Sequence, residues 1–139
     1  MKIRGLTLIR PWAWAIFNAG KDVENRSWKP TPNQLQPGDW LAIHAGMKWE
    51  QEEVFWIEDM FGVKVPHQDE HPKGAIVGLV KYFGVITKSD SRWFFGPYGW
   101  TWRNAIALSE PIPHKGALGL WALEPTALAQ VEKAIGAKR

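Results

Sequence analysis

PWAWAIFNAGKDVENRSW, residues 11–28, is the stretch that decides how this chain reads. Pro11 suits the first position of a short helix, which would run to Ala19 and stop at Gly20, a residue able to take the left-handed conformation past a helix end. A strand over 22–28 follows. Its side-chain period of two places Glu24, Arg26 and Trp28 on one face and Val23, Asn25 and Ser27 on the other. A face of acid, base and aromatic builds a poor core, because ionised groups are almost never fully buried unpaired. It is a good floor for a polar pocket, so a site is expected beside the first helix.

Outward from this stretch, residues 4–9 alternate as a first strand, and Pro30, Pro32 and Pro37-Gly38 mark a loop. Residues 40–45 read as a third, largely buried strand. A helix suits 48–61, with Trp49, Trp56, Ile57, Met60 and Phe61 on one side and Glu50, Glu52, Glu53 and Asp59 on the other. After a polar loop with Pro66 and Pro72, residues 74–87 are the longest apolar extended run, a central bent strand with Gly78 and Gly84 as bend or bulge points. Residues 88–100 read as irregular, strands follow near 102–108 and 117–123, and a last helix starts at Pro125 and runs to Ala134. There is no internal repeat and no linker. The expectation is a single α+β domain over 1–139, a small β-barrel with flanking helices.

Composition narrows the partners. With no cysteine, disulfides and thiolate metal sites are excluded. No apolar run approaches the ~18–20 residues of a membrane span, and the N-terminus lacks the apolar region of a signal peptide, so a cytoplasmic protein without membrane partners is expected. A net charge of +3 is compatible with an anionic partner without demanding one. Ten tryptophans against two tyrosines imply mostly core packing, with one or two rings in polar contexts where a flat face can stack a base.

Five segments in order, LTLIRPWAWA (6–15), GKDVENRSW (20–28), GDWLAIHA (38–45), GAIVGLV (74–80) and KGALGLW (115–121), resemble the ASCH domain of the PUA-like superfold across nearly the whole chain. The G-K-x-x-E-x-R signal of residues 20–26, after P-W-A, is the specific part; the later strands would be weak alone. The resemblance implies a β-barrel of five or six strands with flanking helices and a cleft beside the first helix. Members of the family are associated with RNA or DNA binding and coactivator-type roles. A few small members are amidohydrolases of acetylated cytidine, or nucleases. In the amidohydrolases a threonine stands three residues after the motif lysine. Here Lys21 keeps the lysine and Glu24 replaces the threonine, which removes that nucleophile. Glu50, Glu52 and Glu53 are all candidates for the further glutamate of those enzymes, and the sequence does not choose among them.

Each candidate residue has a plain structural reading beside the functional one. Lys21, Glu24 and Arg26 can be a salt-bridged strand edge, each pair worth ~0–1 kcal/mol. As a site, Glu24 accepts from an exocyclic amine while Lys21 and Arg26 hold a phosphate. Pro11 and Trp12 open the helix at the cleft, with Trp12 a core anchor in the structural reading. Trp28 is a stacking surface or a cation–π partner of Arg26. His44 and Lys48 flank the expected end of the third strand and point to the same pocket. Tyr98 and Trp100 lie in a glycine-rich loop able to close over a ligand. His67 and His71 have metal-like i, i+4 spacing, but flanking prolines argue against the helix it needs, so a solvated loop and no metal or cofactor are expected. Two functions follow: a module binding RNA, single-stranded DNA or a nucleotide in a polar pocket, or a hydrolase of a modified nucleoside with Glu24 as base and Lys21 stabilising an oxyanion.

Overall fold

The computed structural model describes residues 1–138. The chain runs β1 (Ile3–Arg10), α1 (Trp12–Asn18), β2 (Val23–Arg26), β3 (Trp40–Trp49), α2 (Gln51–Phe61), β4 (Ala75–Ile86), β5 (Tyr98–Pro113), β6 (Leu120–Trp121) and α3 (Pro125–Ala137). One mixed sheet has the order β2-β5-β4-β3-β1-β6. β1 and β3 are parallel and the other pairings antiparallel. A parallel pair needs a crossover, and the segment from α1 through β2 supplies it.

The fold is therefore α+β with six strands and flanking helices, and the expected barrel is corrected in one respect: the sheet does not close. β2 and β6 are its edges. Ladder shifts on β4 near Ile76/Gly78 and Tyr82/Gly84 bend the sheet where glycines were expected to do so. At Gly78 a Cβ would collide with the Phe17 ring of α1, so the missing side chain is what lets the helix lie against the strand.

β3 explains its own uninterrupted apolar run. Leu41, Ile43 and Ala45 enter a core with Leu6, Leu8, Ala13, Ile16, Val80 and Trp100, while Trp40 and Ala42 enter another beneath α3. A strand covered on both faces needs apolar residues at every position. α3 meets that second core through Ala127, Val131 and Ile135, at helical spacing. α2 covers a third cluster of Ala15, Val23, Val54, Ile57 and Trp93.

Several boundaries differ from expectation. β3 continues to Trp49, so Lys48 and Trp49 are strand and α2 starts at Gln51. β2 ends at Arg26, which leaves Trp28 outside the sheet. β5 spans 16 residues and includes Tyr98 to Trp100, the stretch read as irregular. Its Pro111 and Pro113 are tolerated because beyond Thr101 the strand pairs only with β4. No helix among the described residues is long and apolar enough to cross a membrane.

Candidate functional site

α1 ends as its sequence requires. Gly20 takes φ +74°, and the Lys21 N–H returns to the Ala15 carbonyl at 3.1 Å. That turn carries Lys21 beneath the helix, where it is 4% exposed. Its Nζ lies 3.0 Å from Glu24 Oε1 and also donates to the Val23 carbonyl. The ammonium stands over the rings of Trp12, at 5.7 Å, and Trp102, at 5.5 Å. Burial lowers the Lys21 pKa and the Glu24 charge pulls it back up.

Glu24 and Arg26 share a face of β2, as the strand period dictates. Arg26 Nε donates to Glu24 Oε2 at 2.9 Å. Glu24 is therefore a carboxylate gripped on both oxygens by cations. It is opposite Trp100 in the ladder and is buried, its two oxygens taken up by Lys21 and Arg26. Arg26 is more open, and its two terminal nitrogens have no partner among the described residues.

Above this triad lies a cavity of about 600 Å³. Thr7 of β1, Trp12 of α1, Glu24 and Arg26 of β2, and Lys48 of β3 line it, with the 117–119 turn at its mouth. β1 and β2 are far apart in strand order, so the cavity occupies the seam where the sheet fails to close. Its rim carries Met47, 66% exposed, and Leu118, 99% exposed. A narrower crevice of about 190 Å³ shares Trp12 and Glu24 and reaches Lys21, Trp93 and Phe95. Trp12 is braced edge-on by Trp56 and Trp93 at 6.2 and 6.3 Å.

Behind the cavity, Trp121 Nε1–H donates to Thr7 Oγ1 at 3.2 Å. The Thr7 hydroxyl lies 3.1 Å from His44 Nδ1, and His44 Nε2 lies 2.7 Å from the His114 carbonyl. A carbonyl neighbour assigns the proton to Nε2, so Nδ1 accepts from Thr7. Burial lowers the His44 pKa, in keeping with a neutral ring.

No family model matches the sequence, and no curated protein matches it. The structure is similar to the crystal structure of ASCH from Zymomonas mobilis, with a TM-score of 0.59 over 95% of this chain and 94% of that one at 14% identity. A mutant of the same Zymomonas protein aligns with a TM-score of 0.58 at 14% identity, covering 95% of each chain. The chain has the ASCH fold.

Within the ASCH fold the candidate residues separate. Trp12, Glu24, Arg26 and Lys48 converge on the seam cavity, and Lys21 joins through the crevice. Lys21 is turned inward, with its ammonium engaged by Glu24 and Val23, so it is not placed as a free phosphate ligand. Pro11 is buried at the helix start and lines neither space. His44 is corrected from a strand end to the middle of β3; at 2% exposure it acts only from behind Thr7. Trp28 packs edge-on against Trp100 at 4.8 Å and accepts the Trp100 indole N–H on its carbonyl, so neither ring faces the cavity. Tyr98 pairs with Arg26 across the ladder and stands under Lys29 at 5.9 Å. Of the two loop histidines His67 is exposed, whereas His71 is buried between Trp14 and Trp49.

The sequence reading missed Thr7, Asn25, Met47 and Leu118. Asn25 anchors the glycine-rich loop, its Nδ2 donating to the Trp93 carbonyl at 2.9 Å and its Oδ1 accepting from the N–H groups of Phe95 and Gly96. Asn25 also lines both the cavity and the crevice beside Glu24.

Proposed function

We propose that this chain is an ASCH-type module that binds one nucleotide of RNA or single-stranded DNA in the seam cavity. The observation that carries the reading is the half-free Arg26: a guanidinium held at one end by Glu24, open at the other, in a cavity of about 600 Å³ with an aromatic wall. Glu24 fixes the plane of the fork, and the open end donates to a phosphate or a base edge. Each Glu24 oxygen keeps a further acceptor position for an exocyclic amine. Trp12, braced by its neighbours, offers a ring for stacking, and the exposed Met47 and Leu118 add apolar surface over a base. Lys48 supplies a second cation to the phosphate backbone.

Fluorescence anisotropy with labelled homopolymers tests this. Two phosphate contacts predict a log–log salt slope near about −1.4 for single strands. Lys48→Ala should flatten it by about 0.7, alike for every base. Arg26→Met should weaken binding by about tenfold or more. No binding by the unaltered protein, or an unchanged affinity in the Arg26 variant, would reject the reading.

A second reading, hydrolysis of a modified nucleoside, draws support from one observation. Lys21 and Glu24 meet at the narrow crevice, where a buried ammonium with a lowered pKa stands beside a carboxylate. That pairing suits a base for water and a stabiliser for an oxyanion. Release of acid from acylated nucleosides, abolished in Lys21→Met, would favour it.

A further inference from the structure

We propose that the opposite flank of α1 holds a second binding site, for a small organic carboxylate with an apolar body. Ala13, Trp14, Phe17 and Asn18 recur at i and i+4 on that flank and wall a hollow of about 280 Å³, separate from the seam cavity. Val77, Leu108 and other apolar groups complete most of its lining.

Arg10 sets the chemistry. It is the one lining residue with a permanent charge, it is 5% exposed, and no carboxylate pairs with it among the described residues. Its Nη2 donates to the Met47 carbonyl at 2.9 Å and its Nη1 to the Gln68 carbonyl at 3.3 Å. The guanidinium stands over the Trp49 ring at 5.5 Å. Nε is buried without a partner among the described residues. Three of five N–H donors are therefore unused, on a cation withdrawn from water with no counterion. Such burial is costly unless an opposite charge completes it. A carboxylate matches the guanidinium fork in shape as well as sign. The surrounding rings and aliphatic groups then take a hydrocarbon or aromatic body, and a bare inorganic anion would leave them unfilled. The wall is firm, since His71 is wedged between Trp14 and Trp49 with ring centroids at 6.0 and 4.8 Å and its Nε2 lies 2.9 Å from the Pro66 carbonyl.

Isothermal calorimetry with phenylacetate tests the site, with phenylacetamide and acetate as companion probes. The unaltered protein should bind phenylacetate saturably and bind the amide and acetate about tenfold or more weakly. Arg10→Met should weaken phenylacetate by a similar factor. So should Ala107→Phe, which fills the hollow from β5 and leaves Arg10 in place. Arg26→Met, in the seam cavity, should leave phenylacetate binding unchanged. If Arg10→Met fails to fold, Ala107→Phe and the amide comparison decide. Absence of saturable binding up to about 10 mM phenylacetate, equal affinity for the amide, or sensitivity to Arg26→Met instead of Ala107→Phe would each overturn the proposal.

Discussion

Glu24→Gln should destabilise the protein far more than its small change in shape suggests. The substitution leaves Lys21, whose side chain is 3% exposed, without the carboxylate 3.0 Å away. Removing one partner of a buried ion pair costs about 3–5 kcal/mol. Lys21→Met is milder, about 1–3 kcal/mol, because Glu24 keeps Arg26 at 2.9 Å. The double variant removes both buried charges and leaves only Arg26, which has access to water. It should therefore lie well above the sum of the singles, with a coupling of about 2–3 kcal/mol. The sign with pH is fixed by Lys21. Burial already holds its folded pKa below the ordinary lysine value, and loss of Glu24 lowers it further. Between the folded and unfolded values the unfolded chain binds more protons, so stability rises with pH. The deficit of Glu24→Gln is then largest near neutrality and shrinks as pH climbs toward the unfolded value of about 10.4. Urea unfolding of the four proteins at pH 7 and 9.5 reads both effects. Additivity of the single substitutions within about 0.5 kcal/mol, or a deficit that does not change with pH, would refute the buried-triad reasoning.

Two further outcomes follow from packing and titration. His44 and His71 are both held below the ordinary histidine range, chiefly by burial, so stability should fall as pH drops below about 6.5, by at most about 1.4 kcal/mol per unit for each ring; urea midpoints from pH 7.5 to 5 check this, and His44→Gln should flatten the curve. Gly78→Ala should cost about 1–3 kcal/mol, because the added methyl meets Phe17 and, at 2.7 Å, the Ile106 carbonyl oxygen, and a thermal melt with an unchanged midpoint would show that α1 can shift away.

The local part of the site was legible. Gly20 stops α1 and turns the chain, and the period of two puts Glu24 and Arg26 on one face. What the sequence could not convey was how far that face is buried. Lys21 reads as a solvent-seeking cation, yet the return of its N–H to Ala15 tucks it under Trp12 and Trp102. Trp12 packs against the core as its helix position implies and walls the cavity as well, whereas Trp28 leaves the polar face altogether. The strand period puts Trp28 on the surface beside Arg26, but β2 stops two residues early and Trp28 falls onto Trp100. β5 reads short in the sequence because prolines and glycines punctuate it, signals that lose force where a strand has one neighbour. Sheet closure depends on long-range register that no window of sequence contains. The open seam, with Thr7 and Lys48 brought beside Arg26, exists only after six strands have paired.

The occupant of that seam is most directly tested by a nitrogen–proton correlation titration of the protein with a short mixed-sequence oligonucleotide. Trp12 indole, Thr7 and Lys48 amide, and Arg26 Nε signals should shift together and saturably, while the buried Trp100 indole and the packed Trp28 ring stay still. Saturable shifts confined to other surfaces, or none at all at about millimolar oligonucleotide, would contradict a nucleotide pocket at the seam.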